Sequence, residues 1–264
     1  MSDGQSAKAR MRAAFDRLAP DYDSAGCFAY FGRRLVEEVG VEPGHQVLDV
    51  ACGAGAVLLP AAERVGPTGT VVGIDLSEGM ARIASAKAQQ LGLAATVRVV
   101  DAERLDFADG AFDRVLCGFG LMFFPHLDQA MAELRRVLRT GGRVGVSTWR
   151  VTQVADLAAV LEERHPVGRP EPGWIDEPDE LVDLFARSGF STVQVKLDSH
   201  LFRYSDLDAY WRNALGTGIR RRLDALNSDQ TARVRAALAE RVARHLRPDG
   251  LYSEASALLA VGSK

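Results

Sequence analysis

Two rhythms of apolar residues run along this chain. Short apolar runs at residues 47–50, 70–74, 96–100, 112–117 and 143–148 are too brief for helices and read as strands buried on both faces. Between them apolar positions recur at helical spacing. The helix after Gly55 carries Pro60, which removes an amide donor and moves its start to near residue 58. Ser77-Glu78 caps a second helix that runs through Met80, Ile83 and Leu91 and stops at Gly92. A third covers about 128–139 and ends before Gly141-Gly142. Strands alternating with helices predict an α/β fold, a doubly wound, mostly parallel sheet covered on both faces.

The rhythm changes at both ends. Residues 1–45 read as helical and partly irregular: Met11 to Ala19 is amphipathic, Pro20-Asp21-Tyr22-Asp23 breaks it, and Phe31 to Val39 resumes helical spacing. After residue 148 come a helix at 154–164 and a loop rich in proline and glycine. A helix over 178–188 follows, with Pro178 as its first residue and Gly189 closing it. A sixth strand is expected at 191–198 and a return strand at 255–262. Between them, residues 204–247 read as two or three arginine-rich helices.

The chemistry concentrates where the first two strands end. The run Val47-Leu48-Asp49-Val50-Ala51-Cys52-Gly53-Ala54-Gly55 is an apolar strand with an acid near its end, breaking into a turn of small residues. Twenty residues after Gly55, the next strand ends in Asp75. Loop glycines let a ligand approach the backbone, and an acid ending the second strand suits a ribose diol. A dinucleotide would want amide donors for its pyrophosphate and no anion nearby. Asp49 would repel a diphosphate and favour a cation. No glycine stands three residues after Gly55, so the dinucleotide spacing fails as well.

In these residues the chain resembles the class I S-adenosylmethionine-dependent methyltransferases, and within them the ubiquinone/menaquinone-biosynthesis-like small-molecule group. The resemblance implies a seven-stranded sheet closed by an antiparallel hairpin. It implies a helical cap over residues 1–45, a cofactor-binding core over 46–149, 177–200 and 251–264, and a helical substrate lid over 150–176 and 201–250. It implies S-adenosylmethionine as cofactor and S-adenosylhomocysteine as product. By resemblance Asp49 orients the loop and the methionine ammonium, Gly53 and Gly55 let the methionyl part lie on the backbone, and Asp75 takes the ribose hydroxyls. Ala51 stands where the family often has glycine, a mild departure if its φ is negative. Leu76 and Met80 would pack on ribose or adenine, Asp101-Ala102 would meet the adenine amino group, and Cys117, Gly118 and Phe119 would floor the site beneath the sulfonium. Tyr22 would close over the methionine end.

Composition narrows the acceptor without naming it. Net charge is −3 and the pI is near 6.0, which gives no bulk attraction to nucleic acid. The residues after the fourth strand, Gly118 to Pro125, lack the Asn/Asp-Pro-Pro-Tyr/Phe tetrad of nucleobase and glutamine methylases, which also speaks against nucleic acid. No apolar run approaches the roughly 20 residues that span a bilayer. The three cysteines show no metal-ligand spacing and suit a reducing cytoplasm, where a monomer or homodimer is expected. No catalytic constellation is spelled out. Candidate bases are His165, Glu171 and His126, with His200 and Tyr30 behind them. Tyr30, Trp174 and Trp211 are candidates to line an apolar pocket, and Arg220, opening Arg220-Arg221-Arg222, to clamp an anionic acceptor such as a prenyl diphosphate. A protein of this fold that binds the cofactor but catalyses a rearrangement, or only binds, is the competing expectation; a nicotinamide oxidoreductase is a further one.

Overall fold

The computed structural model describes residues 3–24, 26–166 and 174–264. Eight strands form one sheet: β1 (Gln46–Val50), β2 (Thr70–Asp75), β3 (Ala95–Val99), β4 (Phe112–Gly118), β5 (Leu138–Val151), β6 (Ser191–Tyr204), the two-residue β7 (Leu246–Arg247) and β8 (Gly250–Ser263). Their order is β3-β2-β1-β4-β5-β8-β6, with β7 paired to β8. The first five are parallel, and β8 runs antiparallel to its neighbours. The order reverses between β1 and β4. That places a ligand crevice at the carboxyl ends of those strands.

Among the described residues ten α-helices accompany the sheet: α1 (Asp3–Leu18), α2 (Cys27–Val39), α3 (Leu58–Val65), α4 (Glu78–Gln90), α5 (Leu127–Val137), α6 (Ala155–Arg164), α7 (Pro178–Arg187), α8 (Leu207–Leu215), α9 (Arg220–Asp224) and α10 (Ser228–Val242). Each of α2, α3 and α4 buries apolar residues in the core on one face, with Phe31, Leu35, Leu58 and Ala84 at its centre. On the other face α5 and α7 bury Met131, Leu134, Leu184 and Phe185. Pro60 lies inside the first turn of α3, where its missing amide costs nothing, and Ser77 caps α4 by accepting from the Met80 amide at 3.1 Å. A third cluster joins α6, α8, α9 and α10 around Tyr210, Trp211, Val234 and Leu238, beyond the strand ends. No helix among the described residues is long and apolar enough to cross a membrane.

The structure corrects three expected boundaries. The closing hairpin is far longer than the eight or so residues anticipated, since β6 and β8 each span 14 residues. The polar run Asp198-Ser199-His200 reads as a strand end. It continues the strand because Arg34 Nε donates to Asp198 at 2.7 Å and His200 stacks on Tyr30 with ring centroids 4.1 Å apart. β5 likewise extends to Val151. α1 begins eight residues before the amphipathic stretch at Met11, because its polar residues find partners on the sheet edge rather than in water.

Helix α2 lies unusually close to the turn after β1. A Cβ on Gly32 would stand 2.1 Å from the Ala56 carbonyl oxygen, which is backbone and cannot swing aside. Gly32→Ala is therefore expected to lower stability by about 1–3 kcal/mol, as overpacking does, and to weaken cofactor binding by displacing the turn. Urea denaturation of the variant checks this; an unchanged midpoint would contradict the packing.

Candidate functional site

The turn after β1 is built from backbone. Cys52 N donates to the Ile74 carbonyl at 2.9 Å and Gly55 N to the Cys52 carbonyl at 2.9 Å, which ties the turn to β2. Gly53 and Gly55 sit at φ +52° and +96°, where only glycine is unstrained. Ala51 also sits in the left-handed region, at φ +55°. That corrects the expectation of a negative φ: alanine here carries steric strain of about 1–2 kcal/mol. Phe119, at the end of β4, is strained in the same way at φ +56°. Two strained non-glycine residues thus face each other across the crevice, a pattern typical of functional sites.

The electrostatics are unusual. Asp49 is wholly buried, and neither carboxylate oxygen makes a hydrogen bond of full geometry; the Leu58 backbone amide is the one group that favours its charged form. Burial, and then the neighbouring Asp75 carboxylate, push its carboxyl well above the ordinary range. Asp75 accepts from Gly53 N at 2.9 Å and Ser77 N at 2.8 Å; burial still raises its carboxyl, against those two bonds. Each of its oxygens keeps lone pairs for a ligand hydroxyl. The Cys52 thiol is pushed up by burial and both carboxylates, so it is no nucleophile.

A cavity opens on this edge. Tyr22, Ala51, Gly53, Asp75, Leu76, Asp101, Ala102 and Gly118, all singled out in the sequence, line it. Four others do not. Asp49, Gly55 and Cys117 stand behind the lining, and Met80 is fully buried against Leu18, Ala19 and Ala54 rather than against a nucleoside. The sequence reading missed what α1 brings: Lys8, Met11 and Phe15. Lys8 Nζ bridges Asp101 at 2.6 Å and the buried Glu103 at 2.5 Å. Asp16 accepts from Ser77 Oγ at 2.6 Å and Gly79 N at 3.0 Å. A basic, polar N-terminus with no long apolar stripe gave no signal for this. Toward β4 the lining turns aromatic, with Phe119, Phe123 and Phe124. Behind them Phe119 stacks on Trp149 at 4.0 Å, and Phe28 stacks on Tyr22 at 5.1 Å.

The candidate bases and acceptor residues are scattered. His126 is exposed at the start of α5, its ring against the backbone of Gly4. His165 ends α6, and its carbonyl accepts from Arg222 at 3.1 Å. Glu171 lies outside the described residues. Tyr30 donates to Asp198 at 3.2 Å on the far flank of α2. Trp211 is packed in the α6/α8–α10 cluster with Arg235 4.9 Å above its ring, while Trp174 is about one-third exposed, at 36%. Arg220 pairs with Asp224 at 2.9 Å and Arg222 with Glu162 at 3.1 Å. None of these residues lines the cavity.

A doubly wound sheet with a small-residue turn and acid-ended strands defines a nucleoside-cofactor-binding α/β protein. A buried carboxylate beside a second one fits a cationic nucleoside and opposes a diphosphate. Residues 47–142 match the methyltransferase domain family. Over 260 residues the chain is 34% identical to Nocamycin O-methyltransferase of Saccharothrix syringae, covering 88% of this chain and 90% of that one. Over 208 residues it is 37% identical to the ubiquinone/menaquinone biosynthesis C-methyltransferase UbiE of Cupriavidus necator, covering 70% and 86%. The YcgJ protein of Bacillus subtilis shares the fold, with a TM-score of 0.59 at 20% identity over 89% of this chain and 98% of that one. The chain belongs to the class I S-adenosylmethionine-dependent small-molecule methyltransferases, and S-adenosylmethionine is its cofactor.

Asp49 is expected to trade stability for binding. Its raised carboxyl pKa means the folded state holds the proton longer than the unfolded chain, so stability falls as pH rises above the ordinary carboxyl value of 3.8. Asp49→Asn removes that cost. Its melting temperature is expected to match the wild type near pH 4 and to exceed it increasingly toward pH 8, while cofactor affinity at pH 8 falls roughly 10–100-fold, the size of a lost charged contact. Scanning calorimetry and titration calorimetry check the two halves; a variant melting lower at pH 8 would contradict the burial argument.

Proposed function

We propose that this enzyme transfers a methyl group to a small, largely apolar metabolite of natural-product or quinone-like type. The observation that carries the reading is the aromatic end of the cavity, where Phe119, Phe123 and Phe124 meet the turn after β1. The names of the relatives support it: one is an O-methyltransferase of nocamycin and another an aklanonic acid methyltransferase from a Streptomyces, 32% identical over 207 residues.

S-adenosylmethionine supplies a methyl group on a cationic sulfur. Asp75 would accept the ribose hydroxyls, Asp101 and the Ala102 backbone would hold the adenine edge, and Asp49 would balance the ammonium through the turn it supports. Tyr22, whose ring stands 3.5 Å from where a Cβ on Gly53 would be, closes the methionine end. Helices α6 and α8–α10 form the lid above the acceptor. The chain's main contribution to rate is to hold the acceptor in line with the methyl carbon and to exclude water. No histidine lines the cavity among the described residues, consistent with a reaction that leans on alignment more than on a base.

Asp75→Ala is expected to weaken cofactor binding by about 1–3 kcal/mol, the cost of an unpaired polar contact. Unchanged affinity would move the ribose elsewhere. S-adenosylhomocysteine release with a panel of hydroxylated aromatic and quinone-like acceptors tests the reaction itself. Tight cofactor binding with no release across the panel would favour a protein that rearranges or only binds.

A further inference from the structure

Beyond the aromatic wall of the cavity lies a set of buried polar side chains that no part of the cofactor site uses. Gln153 leaves β5 just before α6, and its Oε1 has no partner although the residue is only 1% exposed. Tyr210 and Asn213 stand three residues apart on α8, hence on one side of it. They are 0% and 3% exposed; Asn213 Nδ2 makes no hydrogen bond, and the Tyr210 hydroxyl is met only by the Leu157 backbone and the Ser253 side chain, neither in full hydrogen-bond geometry. Buried polar atoms without partners are rare in native proteins and call for an explanation.

These groups form one cluster. The Cys27 thiol, at the start of α2, meets the Gln153 side chain. Ser253 Oγ, beside the Tyr210 phenol and interacting with it, donates its proton to the Gln153 carbonyl at 2.8 Å. The Tyr204 and Tyr210 rings meet edge to face at 5.3 Å. Cys27 precedes Phe28, whose ring contacts Phe119 at 5.7 Å and Trp149 at 5.8 Å. Helix α8 also packs on the turn that carries Tyr22. The cluster therefore sits directly behind the rings that close the methyl end of the cavity, one of which, Phe119, holds a strained backbone.

Its chemistry is uncharged. The nearest carboxylate, Asp156, is taken up by Arg241 at 3.3 Å and Arg244 at 3.2 Å on the outer side of the lid. The arginine run on α9 is likewise engaged with Asp224 and Glu162. An anionic acceptor would find no cation here, and a diphosphate would pay its full desolvation cost.

We propose that Gln153, Tyr210 and Asn213 form the polar end of the acceptor subsite. They select a neutral acceptor that both donates and accepts hydrogen bonds, such as a phenol or enol next to an apolar ring. One acceptor oxygen, one amide donor and one hydroxyl match that pattern, and an unmet hydrogen-bonding site discriminates strongly against ligands that cannot fill it. This rests on the methyltransferase reading above, whose acceptor it narrows.

The test uses full-length protein saturated with S-adenosylhomocysteine. Titration with 2-naphthol is expected to show binding, and titration with 2-naphthyl phosphate to show none. Asn213→Leu and Gln153→Leu should each weaken 2-naphthol binding at least tenfold, leave S-adenosylhomocysteine affinity within twofold, and melt at or above the wild-type temperature. Preference for the phosphate, no 2-naphthol binding, or full binding retained in both variants would overturn the proposal, the last assigning these atoms to internal water. Variants that melt several degrees lower would also overturn it, because the groups would then be structural. Loss of S-adenosylhomocysteine binding by the wild type would instead sink the parent reading, so the two failures separate.

Discussion

A buried carboxyl that faces a second one governs this molecule. Asp49 sits in the sheet between Gly73 and Leu116, sealed from water, its two oxygens without a hydrogen bond of full geometry and a second carboxylate close by. Such a group costs folding free energy unless it is protonated or meets a cation. Burying it makes sense only if binding repays the cost. The neighbouring parts follow from that demand. The turn after β1 is made of small residues so that a ligand can reach the backbone. Asp75 is fixed by two backbone amides so that its free lone pairs point outward.

The same constraint explains what lies across the crevice. Helix α1 bridges it with Lys8 on Asp101 and Glu103 and with Asp16 on the start of α4. The Lys8–Asp101 pair is partly exposed, the Lys8–Glu103 pair is buried at its carboxylate, and the Asp16 contacts are hydrogen bonds. The far side is apolar and aromatic, and its packing runs without a break from Tyr22 through Phe28 to Trp149 and the hairpin of β6 and β8. That hairpin is long because it must carry the α8–α10 insert out beyond the strand ends.

Much of this was legible in the amino-acid sequence. The five parallel strands, the start of α3 at Leu58 forced by Pro60, the Ser77 cap and the acids ending β1 and β2 all follow from local rules, because in each case the residue's own chemistry decides the outcome. Other features were not legible. Met80 reads equally well as core or as pocket, since a helix shows its apolar face to either. The reach of β6 past Asp198 depended on Arg34 and Tyr30, which are distant in sequence and arrive only through the fold. The cap by α1 depended on charge pairs spanning more than ninety residues, a distance no periodicity reports. The sign of φ at Ala51 is set by the turn as a whole, not by alanine.

The claim most exposed to a single experiment is that the raised carboxyl of Asp49 is coupled to the cationic cofactor, so that binding favours its ionised form. Titration calorimetry of S-adenosylmethionine across pH 5–8, in buffers of differing ionisation enthalpy, counts the protons exchanged. Net proton release on binding somewhere in that range, abolished by Asp49→Asn, is the expected result. Binding with no proton exchange at any pH, or the same release from the variant, would contradict the account.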